Sequence, residues 1–171
     1  MPIKIIKYFL VLCSVLYILV YIFIAVQHIF YPYELEWMEG GMVDHVVRLL
    51  SRKQLYTEPS IEFIPFIYTP LFSYVGMIIS KIFGVGFFSL RLISFLSSLG
   101  CFIIIFEFVR RETKSLFFAI LSTGLFAATY RISGAWLDLA RVDSLFLLFL
   151  LWVPIFFVSM RVPSRWWFQA Y

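Results

Sequence analysis

Long apolar runs separated by polar segments dominate the sequence. Four of them are candidates to cross a membrane as helices, at about residues 8–30, 87–109, 115–130 and 144–160. A helix needs about 20 apolar residues to cross the hydrocarbon core of a bilayer, and basic side chains at the ends of a shorter run extend it by snorkelling to the surface. The pattern therefore predicts an all-α integral membrane protein with about four transmembrane helices.

The polar stretch at 31–86 contains two further helical patterns. Residues 38–50 place apolar side chains on one face, with Asp44 and Arg48 one turn apart for an ion pair on another face. Residues 70–83 form an apolar run that would be about 21 Å long as a helix, too short for a core of about 30 Å. We expect both to be interfacial helices that lie on the membrane without crossing it.

The distribution of basic residues predicts the orientation of the chain. If residues 70–83 do not cross, Lys4 and Lys7 fall on the same side of the membrane as the basic cluster at 110–114. Basic residues close to helix ends favour the cytoplasmic side. We therefore expect a multi-pass protein of the cell membrane, with a cytoplasmic amino terminus and an extracytoplasmic loop at 31–86.

Composition narrows the class of protein. Hydrophobic residues make up 63% of the chain, and its 14 Lys and Arg residues are scattered and give a net charge of only +4. These features exclude a water-soluble domain and a nucleic-acid-binding surface. Cys13 and Cys101 lie within apolar runs and are expected to pack as small buried side chains. His28 and His45 are not spaced to bind a metal ion together and are expected to be interfacial histidines.

Three carboxylates follow the first apolar run, at Glu34, Glu36 and Glu39. If the helix at 38–50 includes Glu39, its apolar stripe turns that carboxylate towards the bundle, where a charged group needs a partner. The alternative is a solvated cluster at the rim of the protein. The spacing alone favours neither.

A second polar cluster precedes the last apolar run and contains Asp138, Arg141 and Asp143, with Arg131 nearby. Asp143 is suited to cap the helix that follows. The two arginines are suited either to bind a phosphate or to pair with the two aspartates. Because both acidic clusters flank predicted membrane helices on the same side, we expect the first-loop glutamates, Glu36 or Glu39, to share one outer cavity with Asp143.

The order of these pieces resembles a known family. The segments are Leu35-Glu-Trp-Met-Glu-Gly-Gly, Tyr68-Thr-Pro-Leu-Phe, Leu90-Arg-Leu-Ile-Ser and Ser133-Gly-Ala-Trp-Leu-Asp-Leu-Ala-Arg-Val-Asp143. Over about residues 10–160, the ordered set is similar to membrane glycosyltransferases of the GT-C superfamily, and especially to the RgtA/B/C/D-like group. Those enzymes also have a first helix, an outer loop with an acidic motif, interfacial helices and a second outer loop with another acid.

The resemblance implies a role for the first outer loop. Glu39 or Glu36 would act as the catalytic base, or would organise the acceptor and a divalent metal ion. The acidic residues of that family are commonly adjacent, whereas Trp37 and Met38 separate them in this sequence. Which glutamate takes the role is therefore left open.

The resemblance also implies that the second outer loop completes the site. Asp143 matches its acid, Arg141 or Arg131 would meet the phosphate of the donor, and Asp138 would line the site. The implied function is that of a glycosyltransferase, which transfers a sugar from a polyprenyl-phosphate-linked donor in the lipid bilayer to an unknown acceptor on the outer side of the membrane.

A different class of protein also accommodates these residues. The outer acids would suit a non-enzymatic membrane protein, such as an assembly partner or a piece of a transporter. The enzymes that the chain resembles have more membrane crossings than this sequence offers. We therefore expect the amino-terminal portion of a truncated or split enzyme, too short to be active alone and completed by a downstream polypeptide.

Overall fold

A computed structural model describes the backbone of residues 2–161 and the side chains of residues 3–153. Within these residues the chain is all-helical and contains no strand, which confirms the predicted class. The helices are α1 Pro2–Phe30, α2 Met38–Leu50, α3 Leu71–Phe83, α4 Phe87–Thr113, α5 Leu116–Ala128 and α6 Asp143–Arg161. The last ten residues of the predicted domain, 162–171, lie outside the described part.

Two of the helices are long and apolar enough to cross a membrane. They are α1, over Ile3–Phe30, and α4, over Phe87–Thr113, each of which contains an apolar stretch of sufficient length. The 13 residues of α5 and the described side chains of α6, from Asp143 to Val153, form shorter apolar helices. Length and composition therefore identify two candidate membrane spans, and the number of four stays a prediction.

The long helices form a bundle in which α1 packs along α5, and α4 packs against both α5 and α6. Small side chains let α1 and α5 approach closely. A Cβ atom added at Gly124 of α5 would lie only 2.4 Å from the Cα atom of Ser14. Close contact through small residues is the usual way in which helices associate in lipid, where burial of apolar surface gives little driving force.

Two apolar clusters hold the bundle together. The first joins α2 and α3 to α4 and α6, and the second joins α1 to α4 and α5. Their buried members are Met42, Val46, Phe72, Leu90, Ile93, Ala140 and Leu145 in the first, and Tyr21, Ala25, Phe102, Ala127, Tyr130 and Leu137 in the second. Both clusters include residues of the segment between α5 and α6, which is thereby fixed at one end of the bundle.

The two predicted outer segments lie at the same end of the bundle. The backbone N–H of Ala140, between α5 and α6, donates to the carboxylate of Glu39 in α2 across 2.8 Å. At the opposite end, Nζ of Lys7 lies 5.5 Å from the centre of the Phe117 ring, near the turn between α4 and α5. The acidic clusters and the basic clusters are therefore at opposite ends, and which end faces the cytoplasm stays a prediction.

The predicted ion pair between Asp44 and Arg48 is wrong. Arg48 turns away from α2, donates from Nε to the carbonyl of Gln54 and lies over the ring of Phe63, 4.2 Å from its centre. Its Nη2 also lies 3.3 Å from Oγ1 of Thr57. The loop after α2 offers Arg48 a carbonyl, a hydroxyl and an aromatic ring together. A single exposed carboxylate on the helix surface would stabilise the arginine less.

His45 fastens the same loop to α2. Its Nδ1 lies 2.6 Å from the carbonyl of Gly41, and its Nε2 accepts the backbone N–H of Phe66 across 3.0 Å. Nδ1 must carry a proton and Nε2 must not, so these bonds require the neutral ring. This interfacial histidine therefore has a structural role.

Candidate active site

Glu39 and Arg91 form a fully buried ion pair at the acidic end of the bundle. Neither side chain is exposed at all. Nε of Arg91 donates to Oε1 of Glu39 across 2.8 Å, and Nη2 donates to Oε2 of the same carboxylate. The two side chains meet in the forked geometry that makes arginine the preferred partner of a buried carboxylate.

Arg91 also binds the backbone that follows α1. Nη1 donates to the carbonyl oxygens of His28 and Tyr31, and Nη2 donates to that of Tyr33. With the two bonds to Glu39, all five guanidinium N–H groups are used. One side chain of α4 therefore ties the end of α1 and the segment before α2 to the bundle.

The carboxylate of Glu39 is as fully bonded as its partner. Besides Arg91, the backbone N–H groups of Ala140 and Leu35 donate to it, each across 2.8 Å. Burial alone would raise the pKa of Glu39, but the bonds from Arg91 and from the two amides outweigh it and lower the pKa. Glu39 is thus held as a charged structural group that faces no solvent.

The other two carboxylates of the first loop bind the amino-terminal end of α2. The backbone N–H of Gly40 donates to Oε1 of Glu34 across 2.7 Å, and that of Met38 to Oε2 of Glu36 across 3.1 Å. The first N–H groups of a helix lack partners within the helix and favour negative charge. A Cβ atom at Gly40 would lie 2.3 Å from the Glu34 carboxylate, so only glycine permits this contact.

Glu36 and Asp143 meet at a second arginine, Arg141. Nη1 of Arg141 lies 3.2 Å from Oε2 of Glu36, and Nε donates to Oδ2 of Asp143 across 2.9 Å. Glu36 and Asp143 therefore contact the same arginine, and the predicted outer cavity that they share stays a prediction. The side chains of Glu36 and Asp143 are 18% and 32% exposed, so this cluster is open to solvent, unlike the pair of Glu39 and Arg91.

Arg141 is well placed to hold an anion. Burial lowers its pKa, but Asp143 and Glu36 outweigh that effect and raise the pKa above its ordinary value, so the guanidinium stays charged. Its Cζ lies 4.3 Å from the centre of the Trp136 ring, and this contact fixes the plane of the guanidinium. Among the described residues, Nη2 of Arg141 has no hydrogen-bond acceptor.

A largely apolar cleft opens beside this cluster. It has a volume of about 470 Å³ and lies between α3, the segment before it, and α6. Its polar lining comes from Tyr68, Thr69 and Asp143, and its apolar walls include Phe72 and Phe146. A cleft of this kind, with few polar groups at one edge, is typical of sites for amphipathic ligands.

The structure places Asp138 and Arg131 away from this cluster. Asp138 is completely buried, with Oδ2 at 2.7 Å from Nδ1 of His28 and Oδ1 accepting the hydroxyl of Tyr130 across 2.8 Å. It therefore joins the end of α1 to the second outer loop. Arg131 is exposed to solvent in that loop.

Asp143 differs in detail from the predicted cap of α6. It is the first residue of the helix, and its carboxylate binds the side chain of Arg141. The guanidinium of Arg141 is a stronger donor than the backbone N–H groups of the helix. The carboxylate of Asp143 therefore binds Arg141 instead of capping the helix.

No group of three or more His, Cys, Asp or Glu side chains in the described residues is close enough to hold a metal ion. The two exposed carboxylates of the cluster, Glu36 and Asp143, already share the positive charge of Arg141. Binding of a divalent metal ion therefore stays a prediction.

A comparison with known families decides the class of protein. Residues 67–171 match the dolichyl-phosphate-mannose-protein mannosyltransferase family. The chain belongs to this family. Membership confirms the resemblance to GT-C membrane glycosyltransferases and, with the two long apolar helices, makes the chain a membrane protein. No curated protein and no solved structure matches the chain.

Only part of the candidate site of this mannosyltransferase-type chain lies within the matched region. It begins at the segment that lines the cleft and includes Arg91, Arg141 and Asp143. Glu36 and Glu39 precede it. The contacts of Arg91 with Glu39 and of Arg141 with Glu36 therefore join the matched region to the segment before it.

Arg91 is the important residue that sequence reasoning did not single out. A signal was present, because Arg91 is a lone charge near the start of a long apolar run. A charged residue in such a position needs a specific partner. The identity of that partner could not be read from local spacing, since Glu39 lies 52 positions away.

Proposed function

We propose that the acidic end of the bundle belongs to a glycosyltransferase that transfers a sugar, mannose by family, from a polyprenyl-phosphate donor to an acceptor on the outer side of the membrane. The family supports the reaction class. The observation that carries the site is the position of Arg141 between two partly exposed carboxylates, Glu36 and Asp143, the second of which lies at the edge of an apolar cleft.

The donor is an amphipathic molecule, and the site offers a matching arrangement. The apolar walls of the cleft, formed by residues such as Leu145 and Phe146, suit the isoprenoid chain next to the phosphate. Arg141 presents a charged, oriented guanidinium at the same place, and arginine binds phosphate oxygens through paired N–H groups. The donor phosphate is therefore assigned to Arg141 rather than to the exposed Arg131.

Glu36 is the better candidate for the catalytic base. All four bonds to Glu39 are made by protein donors in a buried setting, so that carboxylate has no place for a substrate proton. Both polar contacts of Glu36 involve Oε2, which leaves Oε1 to accept one. A general base must reach the proton that it removes.

The transfer then follows a single displacement. An acceptor hydroxyl attacks the anomeric carbon of the sugar, and its proton passes to Oε1 of Glu36. The bond between the anomeric carbon and the phosphate oxygen breaks, and its electron pair leaves with the polyprenyl phosphate, whose charge Arg141 stabilises. Asp143 holds Nε of Arg141 and so orients the guanidinium.

The donor site is tested by binding and by transfer. Reconstituted chain is titrated with polyprenyl-phosphate mannose, and transfer is measured with radiolabelled donor. We expect Arg141→Ala to weaken binding and transfer by about a hundredfold, the usual scale for loss of a charge stabiliser.

Arg131→Ala is the matched control, because it removes an exposed arginine from the same loop. It should leave both measurements within about twofold of the unmodified chain, since an exposed charge contributes little. Equal losses in the two variants would show that the phosphate is not bound at Arg141.

The proposal places the site on the extracytoplasmic side, with the amino terminus in the cytoplasm. Single cysteines at Glu58, in the loop before α3, and at Glu112, near the end of α4, test this orientation because both side chains are exposed. A membrane-impermeant maleimide added to intact cells should label Glu58→Cys and not Glu112→Cys. The opposite pattern would reverse the orientation.

A further inference from the structure

Three isoleucines in the loop between α2 and α3 are held away from the protein. Ile61 and Ile67 are 107% and 100% exposed, and Ile64 is 65% exposed, whereas the neighbouring Phe63 is only 8% exposed. Isolated apolar residues on a surface are ordinary. Three large side chains at three-residue spacing, all pointing outwards, form an apolar patch that needs a partner.

The loop is fixed in this conformation by its inward contacts. Phe63 lies beneath the guanidinium of Arg48, and its backbone exchanges hydrogen bonds with that of Ser60, at 2.9 and 3.3 Å. The backbone N–H of Phe66 donates to His45. Phe63 and Phe66 are held against α2 by Arg48 and His45. The isoleucines beside them therefore point outwards.

The helix that follows also exposes large apolar side chains. On α3, the buried positions are Phe72, Ser73, Gly76 and Ser80. Most of the exposed positions carry large apolar side chains, at Leu71, Tyr74, Ile78, Ile82 and Phe83, with Lys81 exposed among them. A broad apolar surface of this kind on a membrane protein is typical of a helix in contact with lipid.

We propose that residues 60–68 are a membrane anchor, in which Ile61, Ile64 and Ile67 enter the apolar part of the leaflet that α3 contacts. Ile67 and Leu71 line the same cleft, so the isoleucine patch adjoins the outward face of α3. That continuity favours lipid over a separate protein partner, because the helix face and the loop patch then share one apolar environment.

The polar residues around the patch set the depth of insertion. Tyr56 and Tyr74 are about half exposed on either side of it, and tyrosine side chains concentrate at the level of the lipid headgroups. Glu58 and Glu62 are exposed and carry charges that stay out of the hydrocarbon. The anchor is therefore shallow, with the isoleucines below the headgroups and the carboxylates among them.

Membrane anchoring of this loop has a consequence for the cleft. Ile67 and Tyr68 form part of its lining, so the opening of the cleft is carried into the leaflet. A molecule that diffuses within the bilayer would reach it without passing through water. The anchor itself does not depend on the proposed function, because it is inferred from exposure and packing alone.

Site-directed spin labelling tests the anchor in the reconstituted chain. Nitroxides are attached to Ile61→Cys, Ile64→Cys and Ile67→Cys in a background that carries Cys13→Ala and Cys101→Ala. Collision with oxygen, which concentrates in lipid, is compared with collision with a water-soluble nickel chelate. Glu58→Cys, on the same loop and also exposed, is the matched control.

We expect the ratio of oxygen to nickel collisions to be several-fold higher at the three isoleucine positions than at Glu58. A high nickel collision rate at all three would place the loop in water and overturn the anchor. Protection from both reagents would also overturn it, since that result means that protein covers the patch. Circular dichroism of each labelled chain verifies that the helices are intact.

Discussion

Two arginine–glutamate pairs lie at the same end of this bundle and differ in how completely they are bonded. Arg91 and Glu39 have no exposed surface, and every N–H group of the arginine has a protein acceptor. The side chains of Arg141 and Glu36 are 8% and 18% exposed. Among the described residues, Nη2 of Arg141 and Oε1 of Glu36 have no hydrogen-bond partner. The first pair has no bonding group left for a ligand, whereas the second pair is the one to which we assign binding and reaction.

The difference shows that residue type alone does not identify a catalytic acid. A buried ion pair is stable only if its remaining bonding groups are also satisfied, and Glu39 and Arg91 meet that condition. Satisfying them consumes the lone pairs and protons that chemistry would need. A carboxylate in an acidic motif is therefore a candidate for catalysis only where part of it remains unbonded.

The largest effect on stability is expected when one member of the buried pair is removed. Arg91→Ala would leave the charge of Glu39 and three backbone carbonyls without their donor, so we expect a loss of about 3–5 kcal/mol in the free energy of unfolding. Unfolding of the chain in detergent, followed by circular dichroism, measures the loss. Arg141→Ala should cost much less, because water reaches its partners.

A double substitution sharpens the same test. Arg91→Met together with Glu39→Met removes both charges, so no unpaired charge stays buried, and we expect it to cost less than the sum of the two single changes. If the costs of the two single changes simply add, the two side chains are not coupled and the structural role of the pair is wrong.

The next effect separates the two glutamates by activity. Glu36→Gln should reduce transfer from a radiolabelled polyprenyl-phosphate sugar by about a hundredfold, the scale for loss of a general base, while the free energy of unfolding barely changes. Glu39→Gln should reduce stability first, and transfer per folded molecule much less. Asp44→Asn, an exposed carboxylate of α2, is the control for both.

The opposite result would be equally clear. If Glu39→Gln abolishes transfer in fully folded protein and Glu36→Gln leaves it within about twofold, the base has been assigned to the wrong carboxylate. Activity must be normalised to folded protein, measured as the monodisperse fraction in gel filtration.

Acid should weaken the buried pair in a defined range of pH. Because the pKa of Glu39 is lowered in the folded chain, its stabilising contribution is fully present above the ordinary value of 4.5 and is lost as the pH falls below it. Each unit by which the pKa is lowered corresponds to about 1.4 kcal/mol. The thermal midpoint should therefore fall as the pH drops below about 4.5, and fall less in Glu39→Gln.

The smallest effect is expected at a third pair, Arg111 and Glu107, one turn apart near the end of α4. These side chains are 51% and 43% exposed, and their charged atoms are 3.5 Å apart. Exposed pairs of this kind contribute about 0.3–0.5 kcal/mol. Glu107→Gln should change the free energy of unfolding by no more than that, and a loss above about 1 kcal/mol would contradict the ranking by burial.

Features that depend on short stretches of sequence could be predicted. The helix at Met38–Leu50 coincides with the predicted range 38–50, because its apolar residues recur at helical spacing. The predicted run 87–109 continues to Thr113 in the structure. Backbone hydrogen bonds do not stop where the apolar residues stop, so polarity alone ends the helix too early.

Features that depend on distant partners could not be predicted. Glu39 and Arg91 are 52 positions apart, and His28 and Asp138 are 110 positions apart. No local pattern contains either contact. The proximity of Glu36 to Asp143 could be anticipated only because both flank helix ends on one side, and their shared arginine lies within the second acidic segment itself.

The loop after α1 depends on hydrogen bonds from Arg91, which is synthesised much later than the loop. Arg91 follows the carbonyl groups of His28, Tyr31 and Tyr33 by 63, 60 and 58 positions. During synthesis, these groups and the carboxylate of Glu39 therefore lack this donor until Arg91 has been made. We expect a nascent chain arrested before Arg91 to expose this segment to protease, and completion of α4 to protect it. The order of synthesis thus sets the moment at which this end of the bundle can close.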